Sequence, residues 1–90
     1  MDDDLTRTLQ ETLAATSERP VERTASRWLG EAEAIARDAA MTELDESVRR
    51  ERLREVRELL GNVEETGDAA ADDHVATAKE LLAQLLDESE

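Results

Sequence analysis

Val21-Glu22-Arg23-Thr24-Ala25-Ser26-Arg27-Trp28-Leu29-Gly30-Glu31-Ala32-Glu33-Ala34-Ile35-Ala36-Arg37-Asp38-Ala39 is the stretch on which the fold turns. Wound at about 100° per residue, it gathers Val21, Ala25, Trp28, Leu29, Ala32, Ile35, Ala36 and Ala39 within about 140° of one another. Arg23, Ser26, Gly30 and Arg37 fall on the opposite side. The stretch therefore predicts an amphipathic helix of five or six turns, with Trp28 at the centre of its apolar stripe. Pro20 suits a first helical turn, where a missing N–H costs nothing, and Glu22 would meet the positive end of the helix dipole, so this helix is expected to start near residue 20.

The same periodicity continues in both directions. Upstream, Leu5, Leu9 and Leu13 repeat at every fourth residue, with Thr12 and Thr16 filling out a weak stripe, and predict a helix over 3–18. Downstream, Thr42-Glu43-Leu44-Asp45 reads as a capping box that opens a third helix. Leu44, Val48, Leu53, Val56, Leu59, Leu60 and Val63 share its apolar face, while Glu46, Arg50, Glu51, Arg54 and Glu58 pair along the other. Gly61-Asn62 could end it, but Val63 stays in phase, which carries the expected helix to about 65 with Gly67 as its stop. Asp68 can cap a fourth helix, with Asp72 as a competing start; Val75, Ala78, Leu82, Leu85 and Leu86 form its stripe, Leu81 lies at the margin, and it runs to near 88. Short connections between four such segments predict an all-α, antiparallel, up-and-down four-helix bundle, or three helices plus a loosely held first one.

A chain of 90 residues has room for a single core, and no Gly/Pro/Ser-rich linker or repeat divides it, so 1–90 is expected to be one domain. Its hydrophobic inventory is thin. Fourteen residues are alanine, Phe is absent, and Trp28 is the only aromatic. Association with a second copy, as a dimer or other homo-oligomer, or with a protein partner is accordingly expected, through the apolar surface around Trp28 and through Leu5, Leu9 and Leu13 of the weakest helix. Arg49 and Arg52 project into the angular range of the apolar face of the third helix. They are expected either to snorkel at its rim or to form an ion pair between helices or subunits, with Glu31 or Glu33 as partners.

Acidic residues number 24 against 11 Lys plus Arg, for a formal net charge of −13, and Lys79 is the only lysine. Such an excess destabilises a compact state by self-repulsion at low salt, whereas molar salt shortens the screening length to about 3 Å and removes most of it. The dearth of lysine and the many Ala and Thr residues match a halophilic, salt-rich interior. The arginines from 49 to 57 are interleaved with glutamate, so no basic stripe exists to neutralise phosphates, and direct nucleic-acid binding is not expected. An acidic surface that attracts a basic partner or imitates a phosphate backbone is the inverse possibility. Met1-Asp2-Asp3-Asp4 has the wrong charge for a secretory signal and no apolar run approaches a membrane span; the chain reads as cytoplasmic, without a membrane.

Chemistry-bearing residues are few. There are no cysteines and one histidine, His74, preceded by Asp72 and Asp73 with Glu64 and Glu65 nearby. A metal- or small-ligand-binding bundle using His74 and those carboxylates is the alternative reading, although Ala70, Ala71 and Ala78, its helical neighbours, carry no donor atoms and no Glu-x-x-His pair is present. No Gly-rich phosphate cradle, no nucleophile elbow and no thiol nucleophile appear, so neither an enzyme nor a cofactor is expected.

From Pro20 onward the chain resembles small haloarchaeal helical proteins of a domain-of-unknown-function type. The stretches that carry the resemblance are Pro-Val-Glu-Arg-Thr-Ala-Ser-Arg-Trp-Leu-Gly-Glu-Ala-Glu-Ala (20–34), Asn-Val-Glu-Glu-Thr-Gly-Asp (62–68) and Asp-His-Val-Ala-Thr-Ala-Lys-Glu-Leu-Leu (73–82). The resemblance implies a halophilic helical protein and assigns no residue a role.

Overall fold

The computed structural model describes residues 3–41 and 43–87, which form four helices: α1 (Asp3–Thr16), α2 (Arg23–Ala39), α3 (Glu46–Leu60) and α4 (Ala69–Asp87). Each helix packs on its two neighbours around a ring, α1 on α2, α2 on α3, α3 on α4 and α4 back on α1, while the backbones of the diagonal pairs stay more than 8 Å apart. The result is the all-α, up-and-down bundle, elongated to 35 × 20 × 19 Å among the described residues. No described helix is long and apolar enough to cross a membrane.

Spacing along the chain explains why these helices pair. The buried positions are Thr6, Leu9, Leu13 and Thr16 on α1; Ala25, Leu29, Ala32, Ala36 and Ala39 on α2; Arg49, Leu53, Val56 and Leu60 on α3; and Ala71, Val75, Ala78, Leu82 and Leu85 on α4, with Leu81 and Leu86 beside them. In every helix these seam positions step by three and four residues, the average of 3.5 that keeps a stripe facing its neighbour along the whole length of a bundle. Leu9, Leu13, Leu53, Leu60, Leu82 and Leu86 are shut off from solvent, and α2 meets them mainly with alanines. Small faces large across the seam, which lets the helix axes approach without leaving voids.

The first helix is a full member of the bundle. Leu9 and Leu13 are completely buried and Leu5 packs on the same core. These leucines are therefore core residues of their own chain, and contact with a partner through them would require α1 to leave the bundle. Thr6 is buried where Thr12 had been expected to contribute, because the seam runs 6, 9, 13, 16.

Helix ends depart from expectation at three places. Helix α2 begins at Arg23 rather than at Pro20, with Glu22 at its N-cap. The Glu22 N–H is drawn to the Thr66 carbonyl at 2.7 Å, which keeps residues 20–22 out of the helix. Helix α3 begins at Glu46, with Asp45 at its N-cap and no side-chain cap. Thr42, the proposed capping hydroxyl, lies outside the described residues. The Met41 carbonyl is instead held at 2.7 Å by the Arg49 guanidinium, so the connection bends back along α3 before the helix starts. At its other end α3 stops at Leu60: the amides of Asn62 and Val63 fall back onto carbonyls three residues earlier, and the Asn62 side chain takes the Glu58 carbonyl at 3.1 Å. Val63 stays buried, but as a loop residue. Gly67, expected as the stop of α3, lies in the connection with φ +83°, and Asp68 caps α4 as predicted, its Oδ2 accepting the Ala71 N–H at 2.9 Å.

Because α1 buries its leucines in the common core, Leu13→Ala is expected to destabilise the chain by about 2–5 kcal/mol. A urea titration in molar KCl checks this; a change below about 0.5 kcal/mol, the range of ordinary surface substitutions, would show that α1 is not packed.

Candidate functional site

One face of the bundle, between α2 and α3, holds the most unusual surface. On α2 two seams with three-four spacing are available, Ala25-Trp28-Ala32-Ile35-Ala39 and Ala25-Leu29-Ala32-Ala36-Ala39, which share three alanines. The second is the one that is buried. Trp28 and Ile35 thus lie at the margin of the apolar stripe, half-buried and packed on the core from its edge, rather than at its centre as the periodicity had implied. Leu59 of α3, also half-buried, stands across from them.

These three residues form an open groove of about 330 Å³, completed by Glu31 from α2 and by Glu55, Glu58 and Asn62 from the α3 side. Trp28 and Asn62 also line a second concavity, of about 600 Å³, with Glu22, Thr24, Ala25, Gly61, Val63, Glu64 and Glu65. Trp28 is therefore the partition between two adjoining depressions, each with three glutamates and neither with an arginine or lysine.

The floor of the larger depression is tied down by an interlocked pair of loops. Thr66, completely buried, accepts the Glu22 N–H at its carbonyl oxygen, as noted, and donates its own amide to Asp72 Oδ1 at 2.8 Å. Its hydroxyl lies 2.7 Å from the same Asp72 oxygen and 2.9 Å from the Asp68 carbonyl, and accepts the Asp68 N–H at 3.2 Å. The single hydroxyl proton goes to the shorter, charged acceptor. Asp68 in turn receives Arg19 from the α1–α2 connection through two contacts, Nε to Oδ2 at 2.9 Å and Nη2 to Oδ1 at 3.1 Å. The Arg19 hydrogen bonds, supported by the Ala71 amide, hold the Asp68 carboxyl below its ordinary pKa, and the carboxylate raises that of Arg19. A Cβ at Gly67 would lie 3.2 Å from the Glu22 side chain, in a backbone conformation that other residues rarely adopt.

The remaining residues singled out in the sequence fall elsewhere. Arg49 occupies a seam position of α3 and is buried, at 7% exposure, with its guanidinium on the Met41 carbonyl. Arg52 reaches along its own helix to Glu55 at 3.3 Å, and Glu33, a proposed inter-helix partner, pairs with Arg37 on α2 at 2.8 Å. His74 is half-buried near the start of α4, and Asp72, two residues before it, is committed to Thr66. Among the described residues no group of three His, Asp or Glu side chains converges in a way that could hold a metal ion. The metal-binding alternative thus finds no ligand set there. Sequence reading missed Ile35 and Leu59 as partners of Trp28; the i, i+3, i+7 placement of Trp28, Glu31 and Ile35 was the available signal.

The fold and this surface define a small all-α bundle with an acid-rimmed, tryptophan-centred groove. Residues 5–90 match the family described as a domain of unknown function (DUF8152), and the chain belongs to that family. No curated protein and no solved structure matches it.

Thr66→Val keeps the volume but leaves buried polar partners unsatisfied, and is expected to cost about 1–3 kcal/mol in a denaturant titration. A depressed folded pKa makes the Asp68 contribution complete above about pH 4 and lost as pH falls through the lowered value. The stability gap between wild type and Asp68→Asn should therefore be constant near neutrality and close below pH 4; a gap that persists into acid would show that the carboxylate charge is not what matters.

Proposed function

We propose that this chain is a small, non-catalytic interaction protein that docks another polypeptide on its α2–α3 face. The observation that carries the reading is the position of Trp28: the only aromatic residue is held half-buried between two surface depressions when the alternative α2 seam would have hidden it in the core. Tryptophan is the side chain most enriched at binding hot spots, where it offers a large rigid surface at little entropic cost. Ile35 and Leu59 extend the apolar strip. Among the described residues no group of His, Asp or Glu side chains that could hold a metal ion accompanies it, and its glutamates would repel phosphate, so neither catalysis nor direct nucleic-acid binding belongs to this reading.

We also infer a halophilic, cytoplasmic setting of the haloarchaeal kind. The net charge of −13, with a single lysine, supports it. Screening by molar salt relieves the repulsion that this charge imposes on a compact bundle. Raising KCl from about 0.1 to 2 M should lift the midpoint of thermal unfolding on the order of 10 °C; an unchanged or falling midpoint would dispose of the habitat assignment.

The docking reading is tested by sedimentation velocity and by affinity purification from the native host, both in molar KCl, on wild type and on Trp28→Ala combined with Ile35→Ala. Wild type should retain a stoichiometric protein, or self-associate, and the double variant should lose it while keeping its helical circular dichroism. A wild type that is strictly monomeric, with the same recovered proteins as the variant, would end the proposal.

A further inference from the structure

We propose that the α2–α3 face receives a cationic amphipathic segment, with the apolar side chains of that segment seated on Trp28, Ile35 and Leu59 and its arginine or lysine heads reaching the glutamates on both sides. The inference rests on the docking reading above and names the chemistry of the partner.

Charge complementarity chooses the occupant. The apolar strip is walled by Glu31 from α2 and by Glu55 and Glu58 from α3, and beyond Trp28 the adjoining depression continues with Glu22, Glu64 and Glu65. No basic residue of the chain lines either depression; the ion pair of a lining acid, Arg52 with Glu55, is 3.3 Å long with both side chains more than two-fifths exposed, and so is readily exchanged. A second copy apposed through this face would bring glutamates against glutamates. A neutral segment would strip water from the carboxylates and return nothing, whereas a cationic one replaces that hydration with charge-assisted hydrogen bonds. The indole face of Trp28 adds a further site for a guanidinium or ammonium, since tryptophan is the strongest of the aromatic rings in cation–π contact. Trp28 and Ile35 are seven residues apart on one helix, about 10 Å, which is the reach of two turns of an incoming helix anchored at i and i+7.

Trp28 is the only indole in the chain, so its fluorescence reports this face alone. The probe is a synthetic 18-residue helical peptide without aromatic residues, carrying leucine at i, i+4, i+7 and i+11 and arginine or lysine on the flanks. Its companions have the basic residues replaced by glutamine or by glutamate. Titrations are run at the lowest KCl concentration that preserves the far-UV helical signal. The basic peptide should shift Trp28 emission saturably and bind about tenfold more tightly than the glutamine peptide, with the advantage shrinking as KCl rises. Neutralising the rim (Glu31→Gln, Glu55→Gln, Glu58→Gln) should abolish that advantage and leave glutamine-peptide binding intact. Neutralising exposed acids elsewhere (Glu11→Gln, Asp73→Asn, Glu80→Gln) makes the same change in net charge and should leave the advantage in place. Equal binding of the basic and glutamine peptides, or equal effects of the two sets of substitutions, would overturn the inference while leaving docking on this face standing. Self-association that is lost on Trp28→Ala would overturn it in favour of a second copy. If no peptide moves Trp28 emission, the inference falls, and the docking reading is decided by the host purification.

Discussion

The constraint on which this molecule depends is the narrowness of the α2 seam. Four helices meeting at three-four spacing leave a fixed volume along their common axis, and α1, α3 and α4 fill it with leucines that are shut off from solvent. What remains opposite them admits alanine and one leucine from α2. An indole there would force the helices apart or push neighbouring side chains off their rotamers, at a typical cost of about 1–3 kcal/mol. The helix is rotated accordingly, so that Leu29 enters the core while Trp28 and Ile35 come to lie at the edge. The surface groove is thus a by-product of core packing, and its apolar character follows from the same rotation.

The second constraint acts at one end of the bundle, where the two connections on that side are bound to each other. Thr66 bonds to Glu22 across the loops and to Asp72 and Asp68 within its own segment. Asp68 serves at once as the N-cap of α4 and as the partner of Arg19. One consequence is the entry of α2 at Arg23: the amide that would have opened the helix earlier is spent on Thr66. Another is that Glu22, Glu64 and Glu65 are carried on a rigid support next to Trp28, so the acidity around the groove is held in place by buried hydrogen bonds rather than by flexible loops. An ion pair as exposed as that of Arg19 contributes little by itself; here it is joined to a cap and to a buried hydroxyl, which is the setting in which such contacts reinforce one another.

Family membership and physical reading meet only in part. The chain belongs to a family defined as a domain of unknown function, which places the helical unit within it but supplies no activity. The acidic composition and the groove are therefore the two properties from which function has to be read. The proposed docking reading draws on both, since carboxylates beside an apolar strip complement a partner of positive charge.

Composition and periodicity by themselves determined four amphipathic helices, their order, the short connections that make them antiparallel, the cap at Asp68 and the placing of Arg49 in the angular range of the apolar face of α3, because each of these is a local property of spacing or of a side chain near a helix end. That Arg49 is buried on the Met41 carbonyl, rather than snorkelling at the rim, was decided by the tertiary structure. Helix boundaries at residues 20–22, 43–45 and 61–65 were decided by particular bonds: Thr66 to Glu22 and Arg49 to Met41 from other segments, and the Asn62 side chain to Glu58 beside a glycine. The choice between the two α2 seams also lay beyond the sequence of α2, since both satisfy the same period and share Ala25, Ala32 and Ala39. Only the volume left by the other three helices could select between them, and that volume exists only once all four are assembled.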